Sequence, residues 1–429
     1  MRLDRSPALR YFIDLRLLGP TIGLYLLTIG LVGFVVDGGV FAVLLNLYLL
    51  RLGYGPEPIG IVNAAGTLAF ALASLPSGAL GERFGSRRMM LLGIALTLVG
   101  CVLLPMADML PEGVRLGWLT GTYGLLYLGL ALFFVNTAPF VMGQVAAARR
   151  TQVFSLQTGL LSFSAFLGSL VGGALPALFA TLLGANTSSP EPYRYALLVA
   201  GLALLPAILA IRAAGEGQRP SAGPEETRTA PAGAEVVPPL LGLLALMAMV
   251  RLLQVAGMAA TVTYFNVYLD AALHMPTAQI GAIIAAGRLL AVPVALATPL
   301  LTARFGNRAV VIGTTLGSAL SIVPLALIPH WGAAGLGFIG LVGLSWIRYA
   351  ASLVYFLELV PPSRRATVSG VTEMAGGICF TLITFGGGYV IGLFGYRTLF
   401  LWAAAVTAVS ALVFWLSFRG RAPYGERSS

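Results

Sequence analysis

Apolar runs of 18 to 33 residues recur along the whole of a 429-residue chain, divided by short breaks that carry Gly, Pro or charge. A helix needs only about 20 such residues to cross the hydrocarbon core of a bilayer. A single buried core has no use for that many. Hydrophobic residues make up 58% of the chain and charged residues 10%, the reverse of the balance a water-facing surface needs. The expected class is an all-α membrane protein.

Reading the runs against their breaks predicts twelve spans: 18 to 50, 57 to 80, 88 to 107, 116 to 143, 152 to 182 and 195 to 212, then 239 to 270, 277 to 302, 309 to 329, 333 to 360, 366 to 392 and 398 to 418. The segment from Gly215 to Pro238 is rich in Pro, Gly, Ala and Glu, and reads as a flexible linker near the midpoint. The expected organisation is a six-helix half over 1–214, a cytoplasmic linker over 215–238 and a second six-helix half over 239–429.

With the amino terminus inside, nineteen arginines fall on the cytoplasmic side and only Arg51, Arg115, Arg194 and Arg397 outside. The positive-inside rule then puts both termini in the cytoplasm of a multi-pass protein of the inner (plasma) membrane. The first run lacks an Ala-x-Ala cleavage site and is too long for a signal-peptide core, so it is expected to remain as the first helix.

The formal charge of +10 is spread over single or paired arginines between apolar segments, with no basic run interleaved with aromatics, so it speaks for membrane orientation and against nucleic acid. Cys101 and Cys379 lie inside apolar runs of different halves and read as small hydrophobes. His274 and His330 stand in separate loops, and no metal site or cofactor is expected. The chain carries no Gly-x-x-x-x-Gly-Lys phosphate cradle and no paired catalytic groups, so it does not read as an enzyme or an ATPase.

Sliding the second half back by about 220 residues exposes an internal repeat. Asn46-Leu47-Tyr48-Leu49 meets Asn266-Val267-Tyr268-Leu269, Ile59-Gly60 meets Ile280-Gly281, Ala64-Ala65-Gly66 meets Ala285-Ala286-Gly287, and Arg83-Phe84-Gly85-Ser86-Arg87 meets Arg304-Phe305-Gly306-Asn307-Arg308. Arg149-Arg150 meets Arg364-Arg365 at an offset of 215. Matches in this order at a nearly constant offset argue for duplication.

The loop Gly78-Ala79-Leu80-Gly81-Glu82-Arg83-Phe84-Gly85-Ser86-Arg87-Arg88 resembles the Gly-x-Leu-x-Asp-Arg-x-Gly-Arg-Arg signature of the major facilitator superfamily, with Glu82 in place of Asp and Ser86 before the basic pair. Pro299 to Gly306 is similar to its degraded second copy, without the acid. Glu358 and Arg365 are similar to an acid-x6-Arg motif of several family branches. The resemblance implies twelve transmembrane helices in two pseudo-symmetric bundles. It also implies a gating role for Gly78, Glu82, Arg83, Gly85, Arg87, Arg304, Glu358 and Arg365. A turn that merely orients its helix pair is the alternative. The fourth span has no interior Arg, and Ala174-Leu175-Pro176 stands where drug-proton antiporters carry Pro-x-x-Gly-Gly.

Asp37, Arg251, Arg288, Arg348 and Glu373 lie well inside spans. Three arginines facing lipid would cost about 8 to 10 kcal/mol, so each must face water, ligand or a partner charge. In the arrangement the resemblance implies, all five fall on cavity-lining or flanking helices. Ser345, Arg348, Tyr349, Ser352 and Tyr355 form a polar stripe on the tenth span, and Arg251, Gln254 and Thr261 form one on the seventh. Three cations against two acids leave an excess that an anion would balance. The expected substrate is therefore a small organic anion, held by Arg251, Arg288 and Arg348 as guanidinium forks, with Tyr349, Gln254, Asn46 and Asn266 alongside.

Burial favours the neutral form of a carboxyl, which makes Asp37, flanked by Gly38 and Gly39, the candidate for proton coupling, with Glu373 as the reserve. Pairing of Arg348 with Glu373, and of another Arg with Asp37, is the structural alternative. The reading is thus a monomeric secondary transporter of alternating access, with export of amphipathic compounds in exchange for protons as the rival. A sensor with a transporter fold would need an output domain, for which linker and tails are too short.

Overall fold

A computed structural model describes residues 19–215, 238–361 and 364–419. The amino-terminal arginines, most of the predicted linker and the last ten residues lie outside the described residues. The described chain is helical, and ten of its helices are long and apolar enough to cross a membrane. Two long helices are each bent into two rods by a glycine at positive φ: Gly306 (φ 76°) inside Thr277–Leu327 and Gly395 (φ 81°) inside Arg365–Ser417. Only glycine reaches that region without a Cβ penalty, so these positions are where each long helix bends.

The first predicted span differs from its expected form. It is not continuous over 18 to 50 but divides into Gly19–Val35 and Val40–Arg51, with Asp37, Gly38 and Gly39 in the break. Gly38 has φ 85°. The Gly38 carbonyl, freed by the break, is not orphaned, because the buried Ser169 hydroxyl donates to it at 2.7 Å. Gly168, one residue earlier, lets its helix lie directly on the Phe34 carbonyl. Freed backbone groups inside a membrane protein need such partners. The sixth predicted span is likewise two pieces, Glu191–Leu202 and Leu205–Ala213, separated just ahead of Pro206.

Helices before residue 215 pack mainly among themselves, as do those after 238. The two sets meet where Pro56–Phe84 crosses Arg365–Ser417, where Ala147–Leu183 crosses Thr277–Leu327, and where Val40–Arg51 faces Pro238–Ala271. Glycine sets how close they come: a methyl on Gly281 would stand 2.7 Å from Cα of Gly173 and 2.6 Å from the Ser169 carbonyl.

The duplication seen in the sequence returns as paired contacts. Asn46 donates to the Thr263 carbonyl at 2.8 Å, and Asn266 returns the bond to the Val43 carbonyl at 3.0 Å. Each asparagine thus reaches the carbonyl three residues before the other. Gly66 packs on Tyr123 and Gly287 on Phe338 in the same way. Arg83 lies over Phe84 at 5.1 Å, and Arg304 over Phe305 at 5.3 Å.

At one end of the bundle a clamp joins the two sets. Arg51 makes a two-pronged ion pair with Asp270 at 2.6 and 2.8 Å and donates to the Thr187 carbonyl at 3.0 Å. Beside it the Tyr193 and Thr277 hydroxyls meet at 2.8 Å. At the opposite end, Arg87 caps the carboxyl end of Leu205–Ala213 through the Ile211 and Arg212 carbonyls, and Arg150 does the same for Glu112–Gln144 through Met142 and Val145. Cations at helix carboxyl ends satisfy orphan carbonyls and complement the dipole. Arg87 thus serves a carboxyl terminus of its own half.

Candidate functional site

The break in the first span opens onto a cavity of about 210 Å³ between the two sets of helices. Asp37 and Phe41 reach its wall from the broken span, Asn63 and Thr67 from Pro56–Phe84, and Tyr123 and Tyr127 from Glu112–Gln144. The far wall is Thr263, Arg288 and Phe380, each from a different helix of the second half. A polar thread runs through it: Asn63 donates to Asn46 Oδ1 at 2.8 Å, Tyr123 donates to Tyr127 at 3.3 Å, and the Thr67 and Thr381 hydroxyls meet across the halves at 3.1 Å.

Arg288 reaches across the interface. Its guanidinium lies flat against Cα of Gly38, so close that a methyl there would stand 2.5 Å from Cζ. Two independent constraints therefore demand glycine at 38, the positive φ and the guanidinium. Among the described residues neither the Asp37 carboxylate nor the Arg288 guanidinium has a hydrogen-bond or ion-pair partner, although both line the same cavity. A second compartment of about 340 Å³ shares Val36, Asp37 and Tyr127 with the first and is otherwise walled by Phe70, Leu130 and Phe134.

The other intramembrane charges stand apart from this lining. Arg251 lies 3.8 Å from Glu373 and stacks over the Tyr349 ring at 4.8 Å. Glu373 is 51% exposed, so this is a loose pair with room to move. Arg348 is 2% exposed and donates to the Ser345 hydroxyl at 3.2 Å, while its Nε and Nη1 find no acceptor among the described residues. Gln254 is fully buried with both amide atoms in the same condition.

The three arginines predicted to share one anion are thus divided: Arg288 in the cavity, Arg251 with Glu373, and Arg348 inside its own half. The alternative pairing of Arg348 with Glu373 is replaced by Arg251 with Glu373, and the arginine that shares the cavity with Asp37 is Arg288, from the opposite wall. Asn46 and Asn266 spend their donors joining the halves, with Asn46 also at the cavity edge. Of the predicted gating residues, Glu82, Arg83, Gly85, Arg304 and Arg365 are exposed, Gly78 is half-buried, and Glu358 accepts from Asn307 at 3.3 Å within its own half.

Asn63, Thr67 and Tyr127 escaped the sequence reading. The signal for Asn63 and Thr67 was a run of Asn63, Thr67 and Ser74 at helical spacing on the second span, the same polar-stripe argument applied to the tenth. Asp270 also escaped, although it is the acid that stands 219 residues from Arg51, close to the repeat offset.

A family model described as Major Facilitator Superfamily matches residues 26–384. No curated protein matches the sequence. Among solved structures, the chain is similar to a mutant of the nucleoside transporter NupG, with a TM-score of 0.76, 16% identity, and coverage of 93% of this chain and 100% of that one. It is similar to a bacterial homologue of the human lysosomal transporter Spinster in an inward-facing, unoccupied conformation, with a TM-score of 0.76, 14% identity, and coverage of 94% and 97%. The inward-open xylose transporter XylE from E. coli gives a TM-score of 0.70, 12% identity, and coverage of 91% and 95%. At these identities the likeness is one of fold.

Proposed function

The chain belongs to the Major Facilitator Superfamily, and on that premise we propose that it is a secondary active transporter that carries a small organic anion by alternating access. The observation that carries the reading is Arg288, which reaches from the second half to the broken first span and presents a guanidinium to a cavity between the halves. Such a fork suits a carboxylate or phosphate. Discontinuous helices at the interface of two repeats are where transporters of duplicated architecture hold substrate and coupling ion.

Counting each of the two helices bent at glycine as a pair supports twelve crossings, in halves 1–214 and 239–429 joined by 215–238. The arginine distribution then orients both termini to the cytoplasm of the plasma membrane. In that orientation the Arg51–Asp270 clamp is external and the chain is closed outside. Asp37 is the proton carrier of this reading, with Glu373 in reserve, and of the three intramembrane arginines it is Arg288 that holds the substrate in this cavity. The loop from Gly78 to Arg87 and its counterpart at Arg304, with Glu358 and Arg365, form the latch that closes the inner side in the opposite state.

Export of amphipathic compounds remains a second reading, favoured by the compartment of Phe70, Leu130 and Phe134 beside Asp37. A panel of labelled organic anions and cationic dyes in proteoliposomes separates the two. Anion transport lost in Arg288→Gln supports the proposal; dye transport that survives this substitution overturns it.

A further inference from the structure

Resting on the reading that Arg288 binds an anionic group, we infer that this group belongs to a zwitterion with an apolar body: Arg288 takes its anionic group, Asp37 its cationic group, and the Phe70–Phe134 compartment its apolar part. Two side chains of opposite charge face one cavity, yet neither is paired with the other or with any other described side chain. A charge away from bulk water needs an opposite charge close by. A simple anion would answer Arg288 and be repelled by Asp37, and a simple cation would do the reverse. A molecule with both groups answers both.

The surroundings sort the two groups in the same direction. Arg288 lies on the glycine of the break, where no Cβ intrudes. Tyr127 forms part of the wall of both compartments that Asp37 borders, with Tyr123 4.9 Å away between ring centroids. Aromatic faces beside a carboxylate favour an ammonium group. The shared wall of Val36, Asp37 and Tyr127 places the apolar compartment on the cationic side of the molecule, so the apolar body should branch near the amine. The Arg251–Glu373 pair offers no such site, because its charges already answer each other at 3.8 Å.

Three probes with one apolar body isolate each charge: phenylalanine carries both, phenylpropionate the negative only, and phenethylamine the positive only. Binding to the full-length purified protein is measured by calorimetry, with monodispersity on gel filtration as the control for folding. Phenylalanine is expected to bind about tenfold or more tighter than either analogue, since each charge-assisted contact is worth at least that. Asp37→Asn should reduce phenylalanine to the level of phenylpropionate and leave phenylpropionate itself unweakened. Arg288→Gln should weaken both.

Phenylpropionate binding as tightly as phenylalanine overturns the inference and leaves the anion reading standing. Binding of phenethylamine alone overturns both. An equal loss of every probe in Asp37→Asn means that the carboxylate is structural, and it overturns the inference, as does the absence of binding by all three.

Discussion

Removing the Arg51–Asp270 clamp should shift the protein toward the state open at that end. The pair joins the two halves through bonds of 2.6 and 2.8 Å, with side chains 20% and 10% exposed. Hydrogen bonds to charged groups contribute about 1.5 to 3 kcal/mol, less when solvent screens them. Asp270→Asn keeps one acceptor and loses the charge, so about 2 kcal/mol should leave the clamped state, a factor of about 30 in the equilibrium. A clamped state favoured about a hundredfold would fall to about threefold. Cys101 and Cys379 are buried, so spin labels introduced by Glu112→Cys and Ile328→Cys at the same end report the opening as a distance distribution. Arg51→Ala should act like Asp270→Asn, and the double variant should add little to either. An unchanged distribution in both single variants, with the fold intact, would refute the reasoning.

Other outcomes follow from the same contacts. Gly281→Val places a side chain against the Gly173 backbone, which cannot yield, and should hold the two halves apart at the clamped end while the protein still inserts; cross-linking between the halves would report it. Asn266→Leu removes two donors to the Ala42 and Val43 carbonyls, and should lower thermal stability by about 1 to 3 kcal/mol, read by melting in detergent. Arg87→Ala strips the cap from Leu205–Ala213 and should cost about 1 kcal/mol of stability without altering which substrate binds. Asp37→Asn should abolish the response of transport to an imposed pH gradient; coupling that survives would move the proton to Glu373.

The apolar spans were legible because lipid as solvent leaves a simple trace, run length. The repeat was legible because duplication preserves order, and its Arg-Phe-Gly turns and facing asparagines keep like geometry in both copies. The break at Asp37-Gly38-Gly39 was in plain view as a turn signal, but the apolar residues on both sides carried the run across it. Rotation about a helix axis was the harder matter. The Ser345, Arg348, Ser352 and Tyr355 stripe is real, and these residues are buried. Spacing alone does not say whether such a stripe faces a cavity or its own bundle, and this one does not line the cavity beside Asp37. Nor does spacing say which helix brings its arginine to Glu373: it is Arg251 of Pro238–Ala271, not Arg348 of Trp331–Glu358. The clamp was hidden because a lone charge at a helix end is ordinary, and only the fold brings Arg51 and Asp270 together.

Alternating access around the cavity is tested most directly by the side from which that cavity can be reached. Thr67→Cys puts a thiol on its wall, and a membrane-impermeant maleimide can be applied to oriented vesicles from either face. The account predicts labelling almost wholly from the cytoplasmic face in the otherwise native protein, and a rise of external labelling from about one part in a hundred to about a quarter when Asp270→Asn is added. External labelling that does not rise in Asp270→Asn would contradict it.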